Sequence, residues 1–272
     1  MPPPAPGQPP SPAELHARFS RYGAIDWGEK LPTTAEIVSR HGTDAADRSL
    51  RLIERAVAAE PRVTADFLAA VPPFSLPYQL EARIKSPESL ARKIEDGRRM
   101  GRRLPPEDVF RYTVLTPAPD GLVAAARSTC EDLRRAGWRA EYAMHSYTEG
   151  SRYKGIHAYF VTPSGDRVEL QFHSVASVKV KEATTPLYEI ERDARSSAAE
   201  RTAARAECVQ LSATLVDPPR LDTMTALGGC PVTVNNYGDS RREPTPATAA
   251  TVQNSGRQAP EAGPARNDGI SR

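Results

Sequence analysis

Between Arg152 and Ser174 the chain reads RYKGIHAYFVTPSGDRVELQFHS. Two alternating runs flank a Pro-Ser-Gly-Asp turn, an arrangement that predicts a β-hairpin. In the second run Val168, Leu170 and Phe172 fall on one face; Arg167, Glu169, Gln171 and His173 fall on the other. The apolar face fixes the register, because a slip of one residue would expose it. The polar face has two readings. In an isolated strand it is simply a solvent face. In a site it carries a carboxylate, Glu169, beside a loop holding Tyr153, Gly155 and His157.

The remaining segments supply partners for this hairpin. DVFRYTVLT (108–116) is rich in β-branched and aromatic residues and predicts a strand, as does WRAEYAMHSY. LPYQLEARIKS alternates, with Leu80, Ala82 and Ile84 opposite Glu81, Arg83 and Lys85, and predicts another. Helical spacing recurs over 12–21, and over 43–59 through Leu50, Ile53, Ala56 and Val57 behind a Thr-Asp cap. SPESLARKIEDGRRM predicts a helix capped by Ser86 with Pro87 in first place and an apolar stripe of Leu90 and Ile94. PDGLVAAARSTCEDLRRAG predicts one capped by Asp120 and ended by Gly137. Beyond Ser174 the chain is helical in pattern to about residue 215. This order predicts an α/β or α+β domain with a mixed sheet. Four segments are expected: a disordered Pro-rich head (1–11), N-terminal helices (12–60), the globular unit (61–215) and a flexible tail (216–272).

Charge narrows the function. Among 272 residues Lys and Arg number 36 and Asp and Glu 34, so the chain is no general polycation for nucleic acid. The positive charge is local: residues 83–103 carry eight Lys/Arg against three Asp/Glu. Three widely spaced cysteines, Cys130, Cys208 and Cys230, argue against a disulfide framework or zinc knuckle and fit a reducing compartment. The N-terminus lacks a basic region followed by an apolar one, and no apolar run is long enough to span a bilayer. A cytoplasmic protein without a membrane partner is expected, with export by signal-less machinery left open.

The basic stretch has a shape suited to polyphosphate. Arg83 and Lys85 lie two apart on the predicted strand, and Ser89 and Lys93 four apart on the helix that follows. A helix N-terminus beside several cations attracts phosphate groups; a solvated basic face is the plainer alternative. Neither a P-loop nor a G-x-G-x-x-G stretch is present. Asp108, at the start of a strand, needs a partner, water or metal. With Glu169 it forms a pair of carboxylates of the kind Mg²⁺ uses while phosphate oxygens and water fill its shell. Gly155 would allow close approach of a ligand, Tyr153 could stack on a base, and His157 could donate to a phosphate. His145, His157 and His173 lack the tight spacing of a metal set.

The ordered set Arg83, Lys85, Ser89, Lys93; Asp108; Tyr153, Gly155, His157; Gly165, Val168, Glu169, Gln171 resembles the synthetase domain of the RelA/SpoT alarmone enzymes, over about residues 75–190. The segments DVFRYTVLT and TTPLYEIERD look like a divergent branch of small and toxin-like synthetases. The resemblance implies a fold related to the polymerase-β type of nucleotidyltransferase, a mixed sheet flanked by helices. It implies transfer of the β,γ-pyrophosphate of ATP to the 3′-OH of GDP or GTP, a GTP diphosphokinase-like activity. By the same resemblance Arg83, Lys85, Ser89 and Lys93 hold ATP, and Asp108 and Glu169 are catalytic and bind Mg²⁺. Tyr153 stacks on the acceptor base, with Arg152, Lys154, His157 and Gln171 around it. The family commonly has an arginine where Thr113 stands; Arg111, two residues earlier on the same strand face, is the candidate substitute for the ATP site. The acceptor stays open between a guanosine nucleotide, an adenosine nucleotide and the 3′ end of tRNA. A non-catalytic nucleotide-binding module of the same fold is the rival reading, and the oligomeric state is open. RHGTDAADR lacks the adjacent His-Asp pair of a metal phosphohydrolase.

Overall fold

The computed structural model describes residues 9–101, 108–193 and 195–237. Its helices are α1 (Pro12–Arg18), α2 (Thr34–His41), α3 (Thr43–Ala70), α4 (Pro87–Arg99), α5 (Leu122–Arg135), α6 (Val175–Arg192) and α7 (Ala198–Ala213). Its strands are β1 (Leu76–Tyr78), β2 (Phe110–Thr116), β3 (Arg139–His145), β4 (Ile156–Val161), β5 (Arg167–Ser174), β6 (Ala226–Leu227) and β7 (Cys230–Val234). The sheet is mixed and runs β1-β2-β5-β4-β3-β7-β6. The predicted hairpin is β4–β5, antiparallel, with His157 opposite Gln171 and Tyr159 opposite Glu169. β2 lies parallel to β5 and sets Arg111 opposite Glu169.

That register sorts the sheet into two faces. Phe110, Tyr112, Val114, Ile156, Ala158, Phe160, Val168, Leu170 and Phe172 form one, all buried. They share a core with Leu50, Ile53 and Phe67 of α3 and with Ala126, Cys130 and Leu133 of α5. The opposite face carries Arg111, Thr113, His157, Tyr159, Glu169, Gln171 and His173, in the alternation that pleating requires. α6 lies over that face, where Ser177 meets His173 and Lys181 meets Gln171. The polar face is therefore not a solvent face: Glu169, Gln171 and His173 are all buried.

Several expectations need correction. The boundary at 60/61 falls inside α3, which continues through Pro61 because Val63, Thr64, Phe67 and Ala70 beyond it are buried. Leu15, Phe19, Ile25 and Trp27 join the same core, so the N-terminal helices are part of the globular unit. In the Pro-rich head, Ser11 closes a capping box on α1; residues 1–8 lie outside the described set. LPYQLEARIKS is a strand only over Leu76–Tyr78. Gln79 is left-handed (φ 50°) and residues 80–82 form a 3₁₀ turn, so Arg83 and Lys85 do not share a strand face. α5 starts after Gly121 without a side-chain cap from Asp120. In the expected tail, residues 226–234 form β6 and β7, and β7 pairs parallel with β3. Leu221, Met224 and Leu227 are buried and drive that docking; residues 238–272 lie outside the described set. Among the described residues no helix is long and apolar enough to cross a membrane.

Candidate functional site

α4 begins as the sequence predicts: the Ser86 hydroxyl accepts from the Ser89 N–H at 3.3 Å, with Pro87 in the first turn. Its N-terminus opens on a cavity of about 430 Å³ lined by Trp27, Lys85, Ser89, Arg92, Arg111 and Arg192, among others. Four cations and a helix N-terminus thus face one space, as an anionic ligand needs. A second cavity, of about 320 Å³, is lined by Arg152, Tyr153, Lys181, Tyr188 and Tyr237, and by Arg111. Arg111 and Tyr188 line both cavities, so the two adjoin. Glu169 is the register partner of Arg111 on the same face and stands beside that junction.

The two expected carboxylates are both buried. Asp108 is bonded to the Lys85 ammonium, and its Oδ1 lies 2.8 Å from Lys93 Nζ. Burial pushes its carboxyl up, but Lys85 and Lys93 outweigh burial and the nearby Glu169 charge and hold it below the ordinary value. Burial likewise works against ionised Glu169. The hydrogen bond from His157, with help from the Arg111 charge, more than offsets it and holds this carboxyl well below the usual range. Its Oε1 accepts from His157 Nδ1 at 2.9 Å and from the Tyr159 hydroxyl at 3.1 Å. Asp108 and Glu169 therefore present two ionised oxygen donors, and Asp108 feels the charge of Glu169. That hard, oxygen-only pair fits Mg²⁺, which takes one or two protein carboxylates. Among the described residues no cluster of three or more metal-ligating side chains stands ready, so water and phosphate oxygens would complete such a shell.

The other expected residues divide. Lys85, Ser89, Arg111, Tyr153 and Arg152 line the two cavities, and Gln171 stands beside them, accepting from Lys181 Nζ at 3.0 Å. Arg83 does not: it is fully buried, with Nε on Glu60 Oε1 at 2.7 Å and its other nitrogens on the Leu80 and Gly23 carbonyls. Lys154 turns away to Asp217 and the Leu215 carbonyl. His157 has no nitrogen left for a phosphate, since Nδ1 serves Glu169 and Nε2 lies 2.9 Å from the Tyr153 hydroxyl. Gly155 gives close approach to side chains rather than to a ligand. A Cβ there would stand 2.7 Å from the Tyr153 hydroxyl and 3.0 Å from His173 Cε1. Gly155→Ala should thus lower stability by about 1–3 kcal/mol through overpacking, measured by denaturant unfolding; an unchanged midpoint would contradict this contact.

Sequence reasoning missed Arg92, Lys181, Tyr188, Arg192 and Tyr237. Arg92 sits one residue from the matched Lys93, and spacing on α4 could have flagged it. Burial and the Arg192 charge pull the Arg92 guanidinium down, the mark of two cations facing one space. Lys181 is pulled down to about 8 by burial and the Arg111 charge. Tyr188 has the Arg152 and Arg192 guanidiniums over its ring at 5.2 and 5.1 Å. Arg152 also pairs with Glu191, which holds Arg205 of α7 at 3.3 Å. Tyr237 reaches the second cavity from the end of β7, its ring 5.8 Å from that of Tyr153, edge to face.

No protein-family model matches this chain, and no curated protein matches it. Solved structures do. One is a complex between the Type VI effector Tas1 and its immunity protein, with 18% identity and a TM-score of 0.42 over 61% of this chain and 96% of that one. Another is the small alarmone synthetase 1 from Bacillus subtilis, with 14% identity and a TM-score of 0.37 over 63% of this chain and 93% of that one. The same synthetase bound to its product pppGpp matches with 14% identity and a TM-score of 0.32, over 57% and 86% of the two chains.

Proposed function

We propose that this chain is an ATP-dependent pyrophosphotransferase that moves the β,γ-pyrophosphate of ATP to the 3′-OH of a guanosine nucleotide. The observation that carries the reading is the junction of a cationic cavity with an aromatic one at Arg111 and Tyr188, with Glu169 beside it. The cationic cavity suits a triphosphate, and Tyr153, Tyr188 and Tyr237 offer ring surface to a nucleobase.

In this reading Lys85, Arg92, Arg111 and Arg192 hold the donor phosphates at the start of α4. Lys85 and Lys93 neutralise Asp108 here; with a polyphosphate to pair with instead, they would free Asp108, and Asp108 and Glu169 are the residues that would hold Mg²⁺. The cation, when bound, draws charge from the phosphate oxygens. Glu169 takes the proton of the 3′-OH. The acceptor oxygen forms a bond to the β-phosphorus, the bond from that phosphorus to the α,β-bridging oxygen breaks, and AMP leaves with the electron pair. Positioning and electrostatics do most of the work, as elsewhere in phosphoryl transfer.

The test is to incubate the protein and Mg²⁺ with γ-labelled ATP and, in separate reactions, GDP, GTP, ADP and tRNA, following AMP release and the label. Label on GDP or GTP with stoichiometric AMP is the expected result. Label on ADP or tRNA would keep the reaction and change the acceptor. No transfer to any of the four would leave a nucleotide-binding module and sink the proposal.

A further inference from the structure

The side chains behind Glu169 form a continuous hydrogen-bonded row. His157 Nδ1 meets Glu169 Oε1 at 2.9 Å, and His157 Nε2 meets the Tyr153 hydroxyl at 2.9 Å. That hydroxyl meets His173 Nε2 at 2.8 Å, and His173 Nδ1 meets Ser177 Oγ at 3.0 Å. His157 and His173 are buried. With both rings neutral, one arrangement of protons satisfies every link. An ionised carboxylate only accepts, so His157 donates from Nδ1 and accepts at Nε2. Tyr153 then donates to His157 and accepts from His173 Nε2, and His173 Nδ1 accepts from Ser177, whose one proton is then directed to the ring rather than to the Ser174 carbonyl 3.1 Å away. Every donor points toward Glu169. Gly155 closes the space around the Tyr153 hydroxyl, so the phenol is held where both rings reach it.

We infer that the Tyr153 hydroxyl is the bridge of a positioning chain, Ser177–His173–Tyr153–His157, that fixes the tautomer of His157 and so aims the Glu169 carboxylate at the reacting hydroxyl. The inference rests on Glu169 as the proton acceptor. It gives the phenol oxygen a role separate from any contact its ring makes with a base. Outer partners of this sort hold a working group in its productive geometry, and their loss costs activity without touching the substrate.

Three variants decide it, each measured for kcat, acceptor KM, ATP affinity and unfolding midpoint alongside the unaltered protein. Tyr153→Phe keeps the ring and removes the bridge; kcat should fall about 10–100-fold with acceptor KM changed by less than about 3-fold. An unchanged kcat, or a loss confined to acceptor KM, would overturn the inference. His157→Asn puts an amide nitrogen where Nδ1 was and keeps the donor to Glu169. His157→Gln puts its amide where Nε2 was, with the amide oxygen able to accept from the Tyr153 hydroxyl, and keeps only the Tyr153 side. His157→Asn should retain at least about 5-fold more kcat than His157→Gln; equal activities, or the reverse order, would overturn the inference even if Tyr153→Phe failed to fold. If the unaltered protein transferred nothing, the functional reading itself would be at fault, a result distinct from any of these.

Discussion

Glu169→Gln should abolish measurable pyrophosphate transfer while ATP still binds. The substitution preserves shape: the amide fills the same buried space and its oxygen can still accept from His157 and Tyr159. What it loses is the ability to take a proton. Removing a general base costs about 10²–10⁴-fold in rate, and loss of a metal-holding oxygen adds to that. The donor cavity owes its cations to Lys85, Arg92, Arg111 and Arg192, none of which changes. Titration calorimetry with a non-hydrolysable ATP analogue in the absence of Mg²⁺ should therefore give a Kd within about 3-fold of the unaltered protein's, against no AMP release in the transfer assay. Retention of most of the turnover would remove Glu169 from the chemistry, and with it the main support for the site.

The parts of the fold that could be foreseen are those where side-chain period and burial agree. β2 and the β4–β5 hairpin alternate in side-chain type because one face meets a core, and Ser86-Pro87 announces α4 by its own backbone chemistry. The parity of Glu169 and Gln171 placed them on one face; covering that face took α6, whose role no local pattern states. β6–β7 was hidden by the sparse composition of its surroundings. A signal was there: Gly228-Gly229 between Leu227 and Cys230, both with positive φ, is a two-residue turn. Gly228 also abuts Phe160, so the turn is fitted to the sheet. Tyr188, Arg192 and Tyr237 could not be assigned to the cavities because they arrive from elements distant in sequence. Long-range packing alone brings them to Arg111 and Tyr153.

Arg83 is the sharpest case, because motif and structure predict opposite experiments. As an ATP ligand, its replacement by alanine would weaken nucleotide binding and leave the fold intact. Among the described residues it is the only cation bonded to Glu60, and that carboxylate is 2% exposed. Glu60 Oε1 also accepts from Thr64 Oγ1 at 2.9 Å, and Thr64 Oγ1 lies 2.8 Å from the buried Tyr112 hydroxyl. Removing the arginine strands a buried negative charge at the centre of this network and takes the guanidinium donors from the Leu80 and Gly23 carbonyls, of which Leu80 keeps the backbone N–H of residue 83. Breaking one side of such a pair costs about 3–5 kcal/mol, a fall in melting temperature on the order of 10 °C for a domain of this size. Arg83→Ala should therefore unfold early, while ATP affinity per folded molecule stays within about 2-fold of the unaltered protein's. The double variant Arg83→Met, Glu60→Leu should recover most of the loss, since replacing both charges by apolar groups of similar volume is often neutral. A stable Arg83→Ala protein with ATP affinity reduced tenfold or more would return Arg83 to the donor site and mean that the Glu60 pair opens when nucleotide arrives.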